Sequence, residues 1–204
     1  MKIFAFVDLH GDAGVFKKVL AKIKKEKPDI VLCPGDLTVF GNQLDYFFKE
    51  LNNLRLPVLV LHGNHETNEL IDKASKKYPH IINLHEKHFH LGKVVFFGYG
   101  GGGFALTNPK FEPVGRKFEL QLQKLKKMYE ELKVVFMTHA PPHNTKLDEI
   151  HGSSAGCKTL RKFIEKFQPN LAICGHLHEN EGKEDKIGKT RLVNPGWNGM
   201  FFDL

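Results

Sequence analysis

Short apolar runs alternate with longer amphipathic ones along most of the chain, and this alternation limits the fold more than any other feature. The runs Ile3 to Val7, Ile30 to Cys33, Val58 to Leu61, Val94 to Phe97, Val134 to Met137 and Leu171 to Cys174 are four or five residues long and largely β-branched, aliphatic or aromatic. Such runs predict strands buried on both faces. Between them, Ala13 to Lys25, Gln43 to Asn53, Glu69 to Lys77, Val114 to Leu132 and Lys158 to Phe167 repeat apolar residues at steps of three and four. That period belongs to a helix with one buried face. The clearest stripe, Phe118, Leu122, Leu125, Tyr129 and Leu132, reads as core and carries no chemistry.

Alternating strands and helices imply a layered α/β fold. Close pairs around His88 to Phe97 and Lys189 to Phe202 predict hairpins and a second, mixed sheet. The expected architecture is a four-layer sandwich of two mixed β-sheets flanked by α-helices. A chain of 204 residues can bury a sizeable core without disulfides, and residues 1–204 are expected to form a single domain. The segment Gly98 to Gly103 has four consecutive glycines but lacks the spacing of a dinucleotide fingerprint, so a tight turn or close backbone approach is expected there.

Composition excludes several classes. The apolar run Leu56 to Leu61 is far short of the roughly 20 residues a membrane span needs, so no membrane partner is expected. The N-terminal Met1 to Asp8 reads as a first strand, because an acidic residue follows where a secretion signal would have small ones. Cys33, Cys157 and Cys174 form no CxxC pair and are odd in number, which argues against a disulfide framework and for a cytoplasmic protein. The net charge of +7 comes with lysines spread over many helix-like segments. Solvated helix faces explain them better than a nucleic-acid surface, although the positive field would draw anionic substrates inward.

Residues able to bind metal fall just past the predicted strands, where the loops of an α/β sheet meet on one rim. Asp8 and His10 follow the first run, Gly35-Asp36 the second and Gly63-Asn64-His65-Glu66 the third. His139 follows Val134 to Met137, and Gly175-His176-Leu177-His178 follows Leu171 to Cys174. Each motif alone is weak; five strand ends delivering such residues together are specific. Imidazoles and carboxylates with one amide suit borderline or hard divalent ions such as manganese, zinc, iron(II) or cobalt, while calcium would call for more oxygen.

In these blocks the sequence resembles the calcineurin-like metallophosphoesterase superfamily, whose pattern D-x-H, G-D, G-N-H-[ED], H and G-H-x-H is present in order over residues 8–178. The resemblance implies two divalent metal ions bridged by Asp36. Asp8, His10 and His178 would complete the ligands of one, and Asn64, His139 and His176 those of the other. His65 would sit off the ions, near the leaving group. Mn2+ is the first expectation, with Fe2+, Zn2+, Co2+ or Ni2+ as alternatives. The stretch Thr138 to Pro142, Gly156-Cys157, Gly175 to Glu179 and Val193 to Gly196 is most similar to small phosphodiesterase-type members. Purple acid phosphatases carry a tyrosine where this chain has Val39, and Ser/Thr phosphatases an Asp-Arg-Gly where it reads Thr38-Val39-Phe40-Gly41; both subfamilies are disfavoured.

Two ions would bring +4 and two ligand aspartates −2, leaving a surplus that matches a bridging hydroxide and a phosphate ester anion. Ions about 3.5 to 4 Å apart acidify a shared water and steady an in-line displacement. The expected function is therefore hydrolysis of phosphate esters, diesters ahead of monoesters, by a metal-held hydroxide with His65 assisting the leaving group. A small phosphate ester is the expected partner. A phosphomonoesterase, a nuclease on the same site and a non-catalytic metal-binding scaffold are the alternatives, and the sequence does not address oligomeric state or native metal. Of the twelve histidines, His62, His80, His85, His88 and His90 read as structural or surface residues. His143 and His151 lie in the long segment 139–156, which starts at a proposed ligand and is a candidate substrate-contacting loop.

Overall fold

Side chains alternate along a strand, and here that alternation sets the layers. The computed structural model describes residues 1–204. Its first half runs β1 (Lys2–Ala5), α1 (Ala13–Glu26), β2 (Ile30–Cys33), α2 (Leu44–Asn52), β3 (Val58–Val60), α3 (Asn68–Ser75) and β4 (Ile81–Asn83). The second runs β5 (Lys87–Leu91), β6 (Val94–Tyr99), α4 (Phe111–Lys126), β7 (Lys133–Thr138), β8 (Glu149–Ile150), β9 (Ser153–Ser154), α5 (Lys158–Phe167), β10 (Leu171–Ile173), β11 (Glu184–Ile187), β12 (Thr190–Val193) and β13 (Met200–Asp203).

One sheet has the order β13-β1-β2-β3-β4, the other β11-β12-β10-β7-β6-β5. β1 to β4 are mutually parallel, as are β12, β10, β7 and β6. The antiparallel neighbours β13, β11 and β5 lie only at edges. Ile3, Ala5, Leu32, Leu59, Phe96, Val135, Met137 and Ile173 point between the sheets and form one fully buried cluster. Their alternates on the first sheet, Phe4, Val31, Val58 and Val60, pack against α1, α2 and α3 through Phe16, Phe47 and Ile71. On the second sheet Val95, Phe97 and Phe136 pack against Phe118 and Leu122 of α4 and Phe163 of α5. This is the four-layer sandwich expected from the sequence, with both faces of each sheet covered as a parallel sheet requires. No helix is long and apolar enough to cross a membrane.

Three expectations need correction. The helix predicted to reach Leu132 ends at Lys126, and 127–132 form turns and a connecting segment that returns the chain to β7. The apolar spacing continues past the helix because Leu132 still packs on the same core and Tyr129 lies edge-on to His90. The segment Lys189 to Phe202 is not a hairpin: β12 pairs with β11, and β13 crosses to the other sheet to pair with β1. Phe201 and Phe202 then split between layers, Phe201 against Phe4 at 4.7 Å and Phe202 between the sheets. Finally, β4, β11 and the small β8–β9 ribbon add strands that the apolar runs do not mark.

Phe96 is fully buried between the sheets, so Phe96→Ala should cost about 3–5 kcal/mol in urea unfolding. A loss under about 1 kcal/mol would contradict this packing.

Candidate metal centre

Beyond their last paired residues, β1 and β2 keep travelling side by side. Asp8 N donates to Gly35 O at 3.3 Å, His10 N to Asp36 O at 3.0 Å and Gly11 N to Leu37 O at 2.9 Å. The extensions of β7 and β10 do the same, Gly175 N donating to His139 O at 2.9 Å. The two sheets then meet at this rim: His176 N donates to Asp8 Oδ2 at 2.8 Å, and His139 Nδ1 lies 3.2 Å from Pro34 O. Asp8, His10, Asp36 and Asn64 thus come from one sheet, His139, His176 and His178 from the other.

Asp8, His10, Asp36 and His176 all have left-handed backbones, with φ of 55°, 47°, 49° and 72°. Aspartate and histidine tolerate that region better than most residues, and its concentration in one place is typical of functional rims. Gly63 and Gly175 serve close approach instead. A Cβ on Gly63 would collide with Asp36 Oδ1 and its backbone N, and one on Gly175 with Val7 and, at 2.7 Å, Asp8 Oδ2.

The seven residues and His65 converge. Asp8, His10 and His178 offer ligand atoms within 4.8 Å of one another, as do Asp8, Asp36 and His139, and His10, Asp36 and His65. His10 Nε2 and His178 Nε2 are 3.0 Å apart. Asn64 Oδ1 lies 2.9 Å from His139 Nε2 and 2.8 Å from His176 Nδ1. Asp36 Oδ2 lies between the groups, 3.4 Å from His139 Nε2 and 3.9 Å from His10 Nε2. Among the seven candidate ligands, two buried polar atoms, Asp8 Oδ1 and His176 Nε2, have no hydrogen-bond partner. Such orphans are costly, and a cation ringed by this mixed set of carboxylates, imidazoles and an amide would satisfy them; the donor set fits divalent metal.

One organising residue carries no role in the sequence reading although its motif is visible there. Glu66 is buried and accepts from Asp36 N at 3.1 Å, Thr38 N at 2.6 Å, Thr38 Oγ1 at 2.9 Å and Gly63 N at 3.3 Å. It fastens the loops after β2 and β3 to each other. Its acidic place at the end of Gly63-Asn64-His65-Glu66 was the available signal.

The two aspartates sit in opposite electrostatic states. Burial pushes the Asp8 carboxyl up to about 6 despite nearby His139. Burial acts the same way on Asp36, but the His139 hydrogen bond and charge, with the His65 amide, prevail and hold it at about 2. Burial opposes charge on His139 too, yet Asp36 and Asp8 raise it above the usual histidine value. Burial, with His139 adding to it, lowers His176 to about 4, and burial also lowers His10. Those two imidazoles are neutral at pH 7, the state a metal ligand needs.

Of the histidines read as structural or surface residues, His62 and His85 lie beside the site, while His80 precedes β4 and His88 and His90 sit on the edge strand β5. Gly101 N donates to His62 O at 2.9 Å and Gly100 N to His85 Nδ1 at 2.9 Å, so both shape the glycine run, which makes the expected close backbone approach. In the segment 139–156, buried Asp148 accepts from Asn144 N, Thr145 N and Gly156 N at 3.0, 2.7 and 2.9 Å. His143 faces Asp148 at 3.6 Å, and exposed His151 takes the turn between β8 and β9.

Comparison with known proteins agrees with this geometry. The family model for calcineurin-like phosphoesterase matches residues 1–180. An uncharacterized protein of Methanocaldococcus jannaschii is 33% identical over 98% of this chain and 90% of its own length. A "probable glycerophosphodiester phosphodiesterase" of Arcobacter nitrofigilis is 26% identical over 76% of this chain, and the match spans 58% of that protein. Among solved structures, a Thermus thermophilus protein superposes with a TM-score of 0.72 at 18% identity, covering 97% of this chain and 90% of that one, which bears on the fold.

A carboxyl whose folded value is raised favours folding below its unfolded value near 3.8 and loses that contribution as pH rises through about 6. A divalent ion needs the carboxylate and must displace the proton below that range. The rise in Tm on adding saturating Mn2+ should therefore grow from about pH 5 to about pH 7, measured by differential scanning fluorimetry. A constant increment, or one that shrinks over this range, would contradict the assignment of Asp8.

Proposed function

This chain belongs to the calcineurin-like phosphoesterase family, and from that premise we propose that it hydrolyses phosphate esters with two divalent metal ions, taking phosphodiesters in preference to monoesters. The observation that carries the reading is the convergence of Asp8, His10, Asp36, Asn64, His139, His176 and His178 on one rim, with orphaned Asp8 Oδ1 among them. When bound, the ions would supply Lewis acidity and a water acidified towards neutral pH. Mn2+ is the ion we favour.

Asp8, His10 and His178 would hold one ion, Asn64, His139 and His176 the other, with Asp36 shared. Asp36 is prepared for that place: Glu66 holds its backbone and the His65 amide donates to Oδ1 at 2.9 Å, so Oδ2 is left to face the cluster. His65 itself has a half-buried ring, 4.7 Å from that of His10, and its Nδ1 has no partner. In this reading the imidazole, standing beside the ligand cluster rather than in it, serves the departing oxygen. The sequence likeness of residues 138–196 to diesterases and the similarity to the Arcobacter protein support the diester preference. Three free, buried cysteines support a cytoplasmic setting.

Activity on bis(p-nitrophenyl) phosphate should vanish on chelation and return with Mn2+, and Asp36→Asn should do more damage than any other single ligand change. Full turnover by metal-free protein would end the reading. His65→Ala should cost roughly 10² to 10⁴ in kcat for alkyl diesters but much less for p-nitrophenyl esters, whose leaving group needs no proton. Equal losses for both ester classes, or loss of one ion from the variant, would rule out the acid role.

A further inference from the structure

Four of the eight exposed large apolar side chains, Val39, Phe40, Phe104 and Leu106, occupy the two loops that border the metal site. Two are aromatic, and each touches a different imidazole of the site. The Phe40 ring lies 5.3 Å from that of His65, and the Phe104 ring meets His176 edge-on at 4.7 Å. Both rings still face solvent, Phe40 with 79% and Phe104 with 67% of its surface open.

Chance exposure does not account for how they are held. Phe40 has a left-handed backbone with φ of 51°, a conformation that a bulky residue seldom adopts. The loop is fixed there: Thr38 is bound by Glu66 through both N and Oγ1, and Thr38 Oγ1 in turn accepts from Gly41 N at 3.1 Å. The carboxylate that positions Asp36 thus also positions Phe40. Phe104 is delivered by the glycine run, in which a Cβ on Gly103 would stand 3.9 Å from His176 Cε1 and any side chain on Gly100 would strike His62. A left-handed residue in one loop and four glycines in the other set two phenyl faces beside the rim of the candidate metal site.

We infer that Phe40 and Phe104 are specificity-determining walls that select phosphate esters whose organic group carries a flat aromatic ring, through stacking beside His65 and His176. This rests on the phosphoesterase reading for its site, but concerns the part of the ligand that does not react. Phe faces stack on aryl rings and nucleobases alike, and neither wall offers the hydrogen bonds that would read a particular base. Phe40, beside the proposed proton donor, would receive the leaving side of a diester, and Phe104 the other side.

The test is calorimetric binding of thymidine 5′-monophosphate, phenyl phosphate and methyl phosphate to the Mn2+-loaded protein, with Phe40→Ala, Phe104→Ala and the double variant. Wild type should bind at least one of the two aromatic ligands about tenfold or more tightly than methyl phosphate, as stacking of one ring implies. The double variant should bring that ratio to within about threefold, and Phe→Trp at either place should retain it. Preference for thymidine 5′-monophosphate alone would identify a nucleobase as the ring, and preference for both ligands any aryl group. Equal binding of all three ligands by wild type, a preference that survives the double variant, or binding of none would overturn the inference. If the preference collapses as expected while wild type hydrolyses no phosphate ester, the walls stand and the phosphoesterase reading fails.

Discussion

Asp36 is gripped from every side, and the site is built around that grip. Its backbone N–H is taken by Glu66, one carboxylate oxygen by the His65 amide, and the other lies against His139 from the opposite sheet. The first two contacts are internal to one sheet's loops; the third crosses the seam. Together with the His176 N–H on Asp8 and the Gly101 N–H on His62, they tie the rims of two sheets whose facing interiors meet through apolar packing. A buried carboxylate is stable only if charge and hydrogen bonds compensate its desolvation, so the rim has one arrangement that satisfies both sheets.

That arrangement separates two aspartates of similar burial. Asp36 has a protonatable imidazole and an amide directly on it and stays ionised; Asp8 has a backbone N–H on one oxygen and nothing on the other, and burial lifts its pKa. Within the protein alone, one carboxylate is satisfied and one is not. The deficit sits beside His10 and His178, whose nitrogens converge on the same space, and so the electrostatics and the geometry single out the same place for a cation.

Much of this was legible in the sequence because the constraints are local. Buried parallel strands must be apolar on both faces, which marks β1, β2, β3, β6, β7 and β10, and the proposed ligands follow directly at the ends of all of these but β6. What escaped depends on partners distant in sequence. β13 is read as a hairpin partner until its pairing with β1, some 200 residues earlier, is seen. The end of α4 is masked because the apolar spacing continues past it, Leu132 packing onto the core and Tyr129 against His90. Glu66 is visible as a letter in a motif, but its function is a set of bonds to Asp36, Thr38 and Gly63 that only the folded loops bring together.

Glu66 also connects the reacting and non-reacting parts of the site. A carboxylate can accept several hydrogen bonds at once, and this one divides them between the backbone of Asp36 and the turn that lifts Phe40. Moving that turn therefore disturbs Asp36, and anything that displaces Asp36 shifts the aromatic wall. In a family fold whose reaction centre is shared, selectivity has to come from loops. Here the loop after β2 gains its rigidity from the same buried charge that fixes the metal-facing carboxylate, so its shape can differ in sequence only where Thr38 and Glu66 still meet.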